Sequence, residues 1–384
     1  MVENSEKKEP LNKNNKVPKL RFKGFKKSWK KEQLKEISAP IKEKNSSNRI
    51  SLVISNSAVH GLISQTDFFD KDIANNENIN RYYVIHKGDF VYNPRKSIYA
   101  PYGPINVLEE YNEGIVSPLY ICFKIDEAYT LFLKWYFKTT KWHRYIYING
   151  DQGARGDRVS IKEWTFYKMP IYLPSDLEID KIASFLELVQ QKIIILERKI
   201  NILKKYKKGV IKDLIKNAKK SVDLLDLVYP CEKTGLLSSD GKSQGKYKFF
   251  INSSNEETKW VDDYIFDGEY LILNTGGSAY TNYINGKFSA MSDCLVLKLL
   301  SHSISLYYWL KFEESRINQK GFQGTGLRHL DVNWLLRQKV KLIEYDSQKL
   351  YALNDDLNCL IRMNELMLAK LNKLKAFFLN NMFI

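Results

Sequence analysis

Between residues 179 and 214 apolar side chains recur with a three-then-four spacing. They are Ile179, Ile182, Leu186, Val189, Ile193, Leu196, Ile200, Leu203, Val210 and Leu214, with Lys207 the only polar residue in the series. That alternation is the a/d seam of a coiled coil, and it predicts one helix of about 36 residues and roughly 54 Å. A long amphipathic helix lying on a globular core is the competing reading, but a 3.5-residue period held this long drifts off a flat surface. A seam needs a partner. A second one runs through Leu350, Leu353, Leu357, Leu360, Asn364, Met367, Leu371, Leu374 and Phe378, about 171 residues after the first. Lys207 and Asn364 are polar residues at a positions, the kind that fix register.

The rest of the chain is of mixed texture. Strand candidates at 82–85, 90–92, 119–125 and 169–173 alternate with helix candidates at 34–37, 128–137 and 161–166. Pro174-Ser175-Asp176 supplies stop and cap signals before the first long helix. After residue 220 the pattern repeats. Gly88-Asp89-Phe90-Val91-Tyr92-Asn93 is echoed by Gly268-Glu269-Tyr270-Leu271-Ile272-Leu273-Asn274, and Leu133-Lys134-Trp135-Tyr136 by Tyr308-Trp309-Leu310-Lys311. Residues 153–164 (GARGDRVSIKEW) match residues 324–334 (GTGLRHLDVNW). A period of this length is too long for a solenoid and implies duplication of a globular domain plus a helix.

The expected fold class is therefore α/β (mixed α+β): two domains joined by two long antiparallel helices in a coiled coil, with an internal pseudo-twofold repeat. The expected organisation is a disordered lead-in at 1–16, a first domain at 17–175 and a first central helix at 176–219. A second domain at 220–346, roughly 30 residues shorter than the first, and a second central helix at 347–384 follow. With one domain at each end of the rod, the expected shape is a dumbbell.

Charge sharpens this picture. The chain of 384 residues carries a net charge of +16, which favours a polyanionic partner. About +8 sits in residues 1–31 and about +9 in residues 192–220, so the remainder is close to neutral. Any nucleic-acid contact by the globular domains would therefore use local patches. Four scattered cysteines without C-x-x-C spacing argue against a disulfide framework or zinc site and suit a cytoplasmic location. No apolar run approaches a membrane span, and the N-terminus has no apolar leader, so neither secretion nor a membrane is expected.

Candidate contact residues lie in the glycine-bearing loops. Gln152, Arg155 and Arg158 stand on a backbone that glycines free to approach a groove. Arg can read guanine bidentately and Gln adenine. Gln323, Thr325, Arg328 and His329 hold the equivalent place in the second half. The alternative is a hairpin closure in which Arg155 or Arg158 pairs with Asp151 or Asp157. A second cluster, Asn93-Pro94-Arg95-Lys96-Ser97 with Tyr99 and Tyr102, mixes cations and aromatics on a turn, where Arg95 and Lys96 could contact phosphate. Lys242, Gln244 and Lys246 are a weaker counterpart.

Catalytic motifs fail on inspection. Tyr92-Asn93-Pro94-Arg95 lacks the second proline and the aromatic of an amino-methyltransferase motif. Gly241-Lys242-Ser243 has Leu236 where a phosphate-binding loop needs glycine. Asp240-x-Lys242 is too short to stand for a nuclease, the histidines lack metal-ligand spacing, and Trp142-His143 reads as packing.

Taken together, the opening segment VPKLRFKGF (residues 17–25) with Trp29, the 88–93 segment, the two glycine-bearing loops and the Lys-rich helix ends resemble a known family. It is the DNA-specificity subunit of type I restriction-modification systems, and the resemblance covers the chain from about Val17 onward. It implies that each domain is a target-recognition domain for half of a bipartite site in double-stranded DNA. It also implies helices that act as a measuring rod and dock two modification (methyltransferase) subunits, with restriction (endonuclease/translocase) subunits added. S-adenosylmethionine, ATP and magnesium would belong to those partners, and this chain would hold no catalytic residues, cofactor or metal. Two other readings stay open: a diverged nucleic-acid-modifying enzyme, and a basic coiled-coil scaffold without sequence specificity.

Overall fold

In the computed structural model the described residues are 17–65, 76–151, 156–253, 259–343 and 347–384. The expected lead-in at 1–16 lies outside them, as do Gln152 and Arg155. The chain forms two compact units: residues 1–195 with 368–384, and residues 196–367.

In the first unit, strand β1 (Lys30–Gln33) is followed by a 3-10 turn at Leu34–Glu36 and by β2 (Ser38–Pro40). A hairpin of β3 (Ile54–Ser57) and β4 (Gly61–Ser64) precedes β5 (Tyr83–His86), β6 (Phe90–Tyr92) and β7 (Ile105–Val107). Next come β8 (Glu113–Val116), β9 (Ile121–Ile125) and the helices α1 (Glu127–Tyr136), α2 (His143–Asn149) and α3 (Glu163–Tyr167). Strand β10 (Pro170–Leu173) pairs back onto β1, and the central sheet runs β2-β9-β6-β7.

Strand β6 sets the core. All three of its side chains are fully buried, so both sheet faces are covered. Phe90 and Tyr92 enter a large aromatic cluster with Phe123, Phe137 and Phe166, the last stacked on Tyr92 at 5.0 Å. Val91 points the other way, into a smaller cluster with Ile54, Ile85 and Val116.

Pro174 then ends the strand phase, and α4 (Asp176–Asn217) begins where the stop and cap signals fall. In the second unit β11 (Ser221–Asp223) leads through a 3-10 turn to β12 (Val228–Pro230). Then follow β13 (Tyr247–Phe250), β14 (Lys259–Val261), β15 (Phe266–Asn274), β16 (Thr281–Ala290) and β17 (Cys294–Leu299). Helix α5 (Ser303–Lys320), the short pair β18 (Phe322–Gln323) and β19 (His329–Leu330), α6 (Val332–Leu336) and β20 (Lys339–Lys341) complete the globular part. The sheet order is β12-β17-β15-β16-β13-β14. Its first four strands repeat β2-β9-β6-β7 in the same order, and β20 closes on β11 as β10 closes on β1. The repeat seen in sequence is thus a repeat of topology. The second unit adds β13 and β14 at the edge of its sheet.

The last helix, α7 (Ser347–Asn381), pairs antiparallel with α4 inside each unit. In the first unit Phe185 meets Phe378 at 4.8 Å, and Lys375 bonds Gln190. In the second, Lys204 pairs with Glu365 at 2.7 Å, and Lys207 donates to the Asn358 side chain at 2.6 Å.

The expected seam holds on α4. Ile182, Leu186, Ile193, Leu196 and Ile200 are buried, and Val189 and Leu203 are half-buried. On α7 it is half right. Leu350, Leu357 and Asn364 are buried and Leu371 half-buried, but Leu353, Leu360, Met367 and Leu374 are 37–49 % exposed. Their places are taken one residue later by Asn354, Ile361, Leu368 and Lys375.

A cause for this rotation in the first unit is anchoring near the end of α7. Met382 and Phe383 plug the aromatic core, with Phe383 5.1 Å from Phe132, and Lys375 lies 5.1 Å from the Trp135 ring centroid. Asn364 bonds the Leu360 carbonyl of its own helix.

The four cysteines are free, with Cys359 exposed. Burial pushes the thiols of Cys122 and Cys294 up to about 12. A thiol reagent is therefore expected to label Cys359 in the native chain and to reach Cys122 and Cys294 only on unfolding. Rapid native labelling of Cys122 would contradict its place in the core. Among the described residues no helix is long and apolar enough to cross a membrane.

Candidate nucleic-acid interface

The segment leaving β6 is held from below by three buried asparagines. Asn56 donates to the Val91 carbonyl at 2.7 Å, Asn106 donates to the Asn56 side-chain oxygen at 2.6 Å, and Asn93 donates to the Asn56 carbonyl at 3.1 Å. Asn93 also accepts from the Arg95 amide at 3.0 Å, the local turn that asparagine favours. Buried amides with satisfied partners rigidify what stands on them. The Tyr92 hydroxyl donates to the Tyr102 carbonyl at 2.9 Å and fixes the far side of the connection. Tyr102 itself packs on His143 at 5.1 Å, while Trp142 is buried in the core, so this pair serves packing as expected. Burial pushes the His143 imidazole below its ordinary value.

On this base the two clusters that lie some sixty residues apart in sequence meet directly. The Val159 amide donates to Pro94 at 2.9 Å, Arg95 bridges Arg158, and the Lys96 amide donates to the Asp157 carbonyl at 2.8 Å. Arg95 and Tyr99 are exposed, and Lys96 is half-buried. Arg158 lies 3.4 Å from Asp157, the hairpin-closing pairing anticipated as an alternative, and holds that carboxyl below its usual value. The Arg158 Nε is buried without a hydrogen-bond partner.

The second unit repeats this joint. Leu330 donates to the Thr275 carbonyl at 2.8 Å, Gly276 bridges His329, and Gly277 donates to the Arg328 carbonyl at 2.9 Å. Arg158 and His329 are thereby structural equivalents, as are Asp157 and Arg328. Thr325 and His329 are exposed. Gln323 leans on Asp331 at 3.3 Å. Arg328 differs from the others because its guanidinium is bonded to the carbonyls of Asn318 and Phe322. It ties the loop to the end of α5.

Lys242 and Gln244 are not part of this joint. Lys242 bonds Trp260 of β14 through its backbone and pairs with Asp262 at 2.7 Å, an exposed ion pair that raises the lysine and lowers the aspartate. Sequence reasoning missed Asn56 and Asn106, the supports of the first joint. Asparagines buried among strand residues are the signal that could have found them. Among the described residues no group of three or more His, Cys, Asp or Glu could hold a metal.

Two mixed α/β units of one topology, each with a paired loop joint and each packed on both long helices, make up a fold that solved S subunits of type I restriction-modification systems share. Residues 219–376 match the model of the Type I restriction modification DNA specificity domain. The S subunit of the type I restriction-modification system from M. genitalium shares the fold with a TM-score of 0.58 at 13% identity, over 96% of this chain and 99% of that one. A chain solved in work on complex assembly and conformational transition of the type I R-M system gives 0.54 at 13% identity, over 93% and 97%. In sequence, 69 residues are 38% identical to S.MpnORF507P of Mycoplasma pneumoniae, a candidate type I specificity subunit. That match spans 17% of this chain and 19% of the relative's length. The resemblance read from the sequence holds.

Proposed function

We propose that this chain is the non-catalytic DNA-specificity subunit of a type I restriction-modification complex, reading a bipartite site in double-stranded DNA. The observation that carries the reading is the loop joint, built twice in one chain from the same elements. Two copies of one reading head suit a site in two parts. Arg95, Lys96, Tyr99 and Arg158 in the first unit, and Gln323, Thr325 and His329 in the second, are the candidate groove and phosphate contacts; Arg155 and Gln152, outside the described residues, are candidates on sequence alone.

The helices supply the docking surface for two modification subunits. Leu353, Leu360 and Met367 recur every seven residues on the exposed side of α7, and such a row on a helix is a seam awaiting further helices. Methyl transfer from S-adenosylmethionine, and cleavage with ATP and magnesium, then belong to the partner subunits. The setting is the cytoplasm.

Co-expression with the modification subunit, followed by genome-wide mapping of methylated adenine, tests the proposal. A split motif with a fixed gap is the expected result. Methylation by the chain alone would overturn it, and so would binding indifferent to sequence. Four residues inserted in α4 beside Ile200, matched in α7, add about 6 Å, close to two base-pair steps, and are expected to lengthen the gap accordingly. An unchanged gap would remove the helices' measuring role.

A further inference from the structure

The connection between β6 and β7 ends in an apex that groove reading alone does not call for. Ile98 is 96 % exposed and Tyr99 78 %. Among the described residues these two neighbours are the most exposed of the large hydrophobic side chains.

The turn beneath it is tightly made. Ser97 and Ala100 exchange backbone hydrogen bonds at 3.0 and 3.2 Å, and the Ser97 hydroxyl accepts from Ala100 at 3.1 Å. Pro94, Pro101 and Pro104 restrict the backbone on both sides, and the asparagine support holds the base. Flanking the apex are Arg95, Lys96 and Arg158, whose buried Nε has no hydrogen-bond partner.

Resting on the reading of the chain as a DNA-specificity subunit, we propose that Ile98 and Tyr99 form a wedge. The first unit inserts it between neighbouring base pairs of its half-site, unstacking one step. An apolar side chain that enters a base step gains from a preorganised backbone and from cations that engage the adjacent phosphates. This apex has both properties. Its flank is cationic: Asp157 is held beside Arg158, and Asp151 is bridged to Ser160 further along the hairpin. Charge complementarity therefore favours DNA over a protein surface. Among the described residues the equivalent connection of the second unit turns within Thr275-Gly276-Gly277-Ser278 and carries no exposed large apolar side chain; Leu327, 75 % exposed, lies on the opposite loop.

The test uses the full complex with modification subunits and a duplex carrying the mapped site. 2-Aminopurine is placed in turn at positions of the first half-site other than the methylated adenine. The native complex is expected to raise fluorescence severalfold at one step. The double variant Ile98→Ala, Tyr99→Ala is expected to abolish that rise and to bind the intact duplex about tenfold more weakly. On a duplex already mismatched at that step, native and variant are expected to bind alike, which also shows that the variant is folded. Equal fluorescence in variant and native complexes would overturn the wedge. Loss of the modification subunits from the variant would overturn it too, by making the apex a protein contact. A native complex without site preference would instead bring down the underlying reading, and the wedge with it.

Discussion

Replacing Arg21 by alanine is expected to destabilise the first unit by about 3–5 kcal/mol, because it strands a buried carboxylate. Arg21 holds both oxygens of Glu178, from Nε and Nη2 at 2.7 Å each, and the Glu178 side chain is 1 % exposed against 14 % for its partner. Arg21 also donates to the Lys27 carbonyl at 2.7 Å. Glu178 lies in the first turn of α4, where the helix dipole favours an acid, but that contribution of about 0.3–1 kcal/mol does not offset burial. Around the ion pair, Phe22 meets Phe185 edge-on at 5.6 Å, and the Leu20 amide donates to the Asn381 carbonyl at 2.9 Å. The opening segment VPKLRFKGF is therefore a clasp over α4 and α7. Urea denaturation of the full chain, monitored in the first unit, measures the cost. Arg21→Met combined with Glu178→Met is expected to recover most of the loss, since an apolar pair of similar volume leaves no charge behind. A single-variant cost below 1 kcal/mol would mean that solvent reaches Glu178 after all.

The second large effect is expected at Gly103. Its φ of +81° lies in the left-handed region, and a Cβ there would stand 2.0 Å from the Asn93 carbonyl oxygen. Gly103→Ala thus combines a backbone penalty of about 1–2 kcal/mol with a contact that only main-chain movement can relieve. Because that carbonyl belongs to the residue preceding Pro94 and Arg95, the movement displaces the whole joint. Gly88→Ala is the matched comparison: φ is +93°, but nothing lies within 4 Å of its added Cβ. It carries the backbone penalty alone. The expected result is loss of site-specific methylation for Gly103→Ala and near-native methylation for Gly88→Ala. Equal activities would show that the joint tolerates displacement and that its geometry does not set recognition.

How much could be read from the sequence depended on whether a signal was local. The α4 seam was legible because its apolar residues form one row, so spacing and burial agree. On α7 apolar residues occupy two adjacent rows, and the more apolar one, through Leu353, Leu360, Met367 and Leu374, is the one left outward. Periodicity measures apolarity and does not tell which of two rows a partner helix will choose. Strand β6 was read with its observed bounds, since a three-residue run between Gly88-Asp89 and Asn93-Pro94 is punctuated at both ends. The meeting of Pro94, Arg95 and Lys96 with residues 157–159 had no local signature, because main-chain bonds across sixty residues leave no pattern in either segment. The bonds of Arg328 have no local signature for the same reason. Nothing in GTGLRHL tells that its guanidinium will find the carbonyls of Asn318 and Phe322.

The division of the long helices between the units has a consequence for synthesis. The second unit is one continuous stretch, 196–367, whereas the first needs residues 368–384 to complete it. Met382 and Phe383 fill its aromatic core, and Asn381 receives the amide of Leu20. A nascent chain therefore makes the first unit's sheet early but cannot close it until the ribosome has passed the whole of the second. Domains ordinarily mature from the N-terminus as they emerge. Here the unit begun first is not closed until residues 368–384 arrive, and Phe132, Trp135 and Tyr136 wait in the meantime beside an unfilled groove.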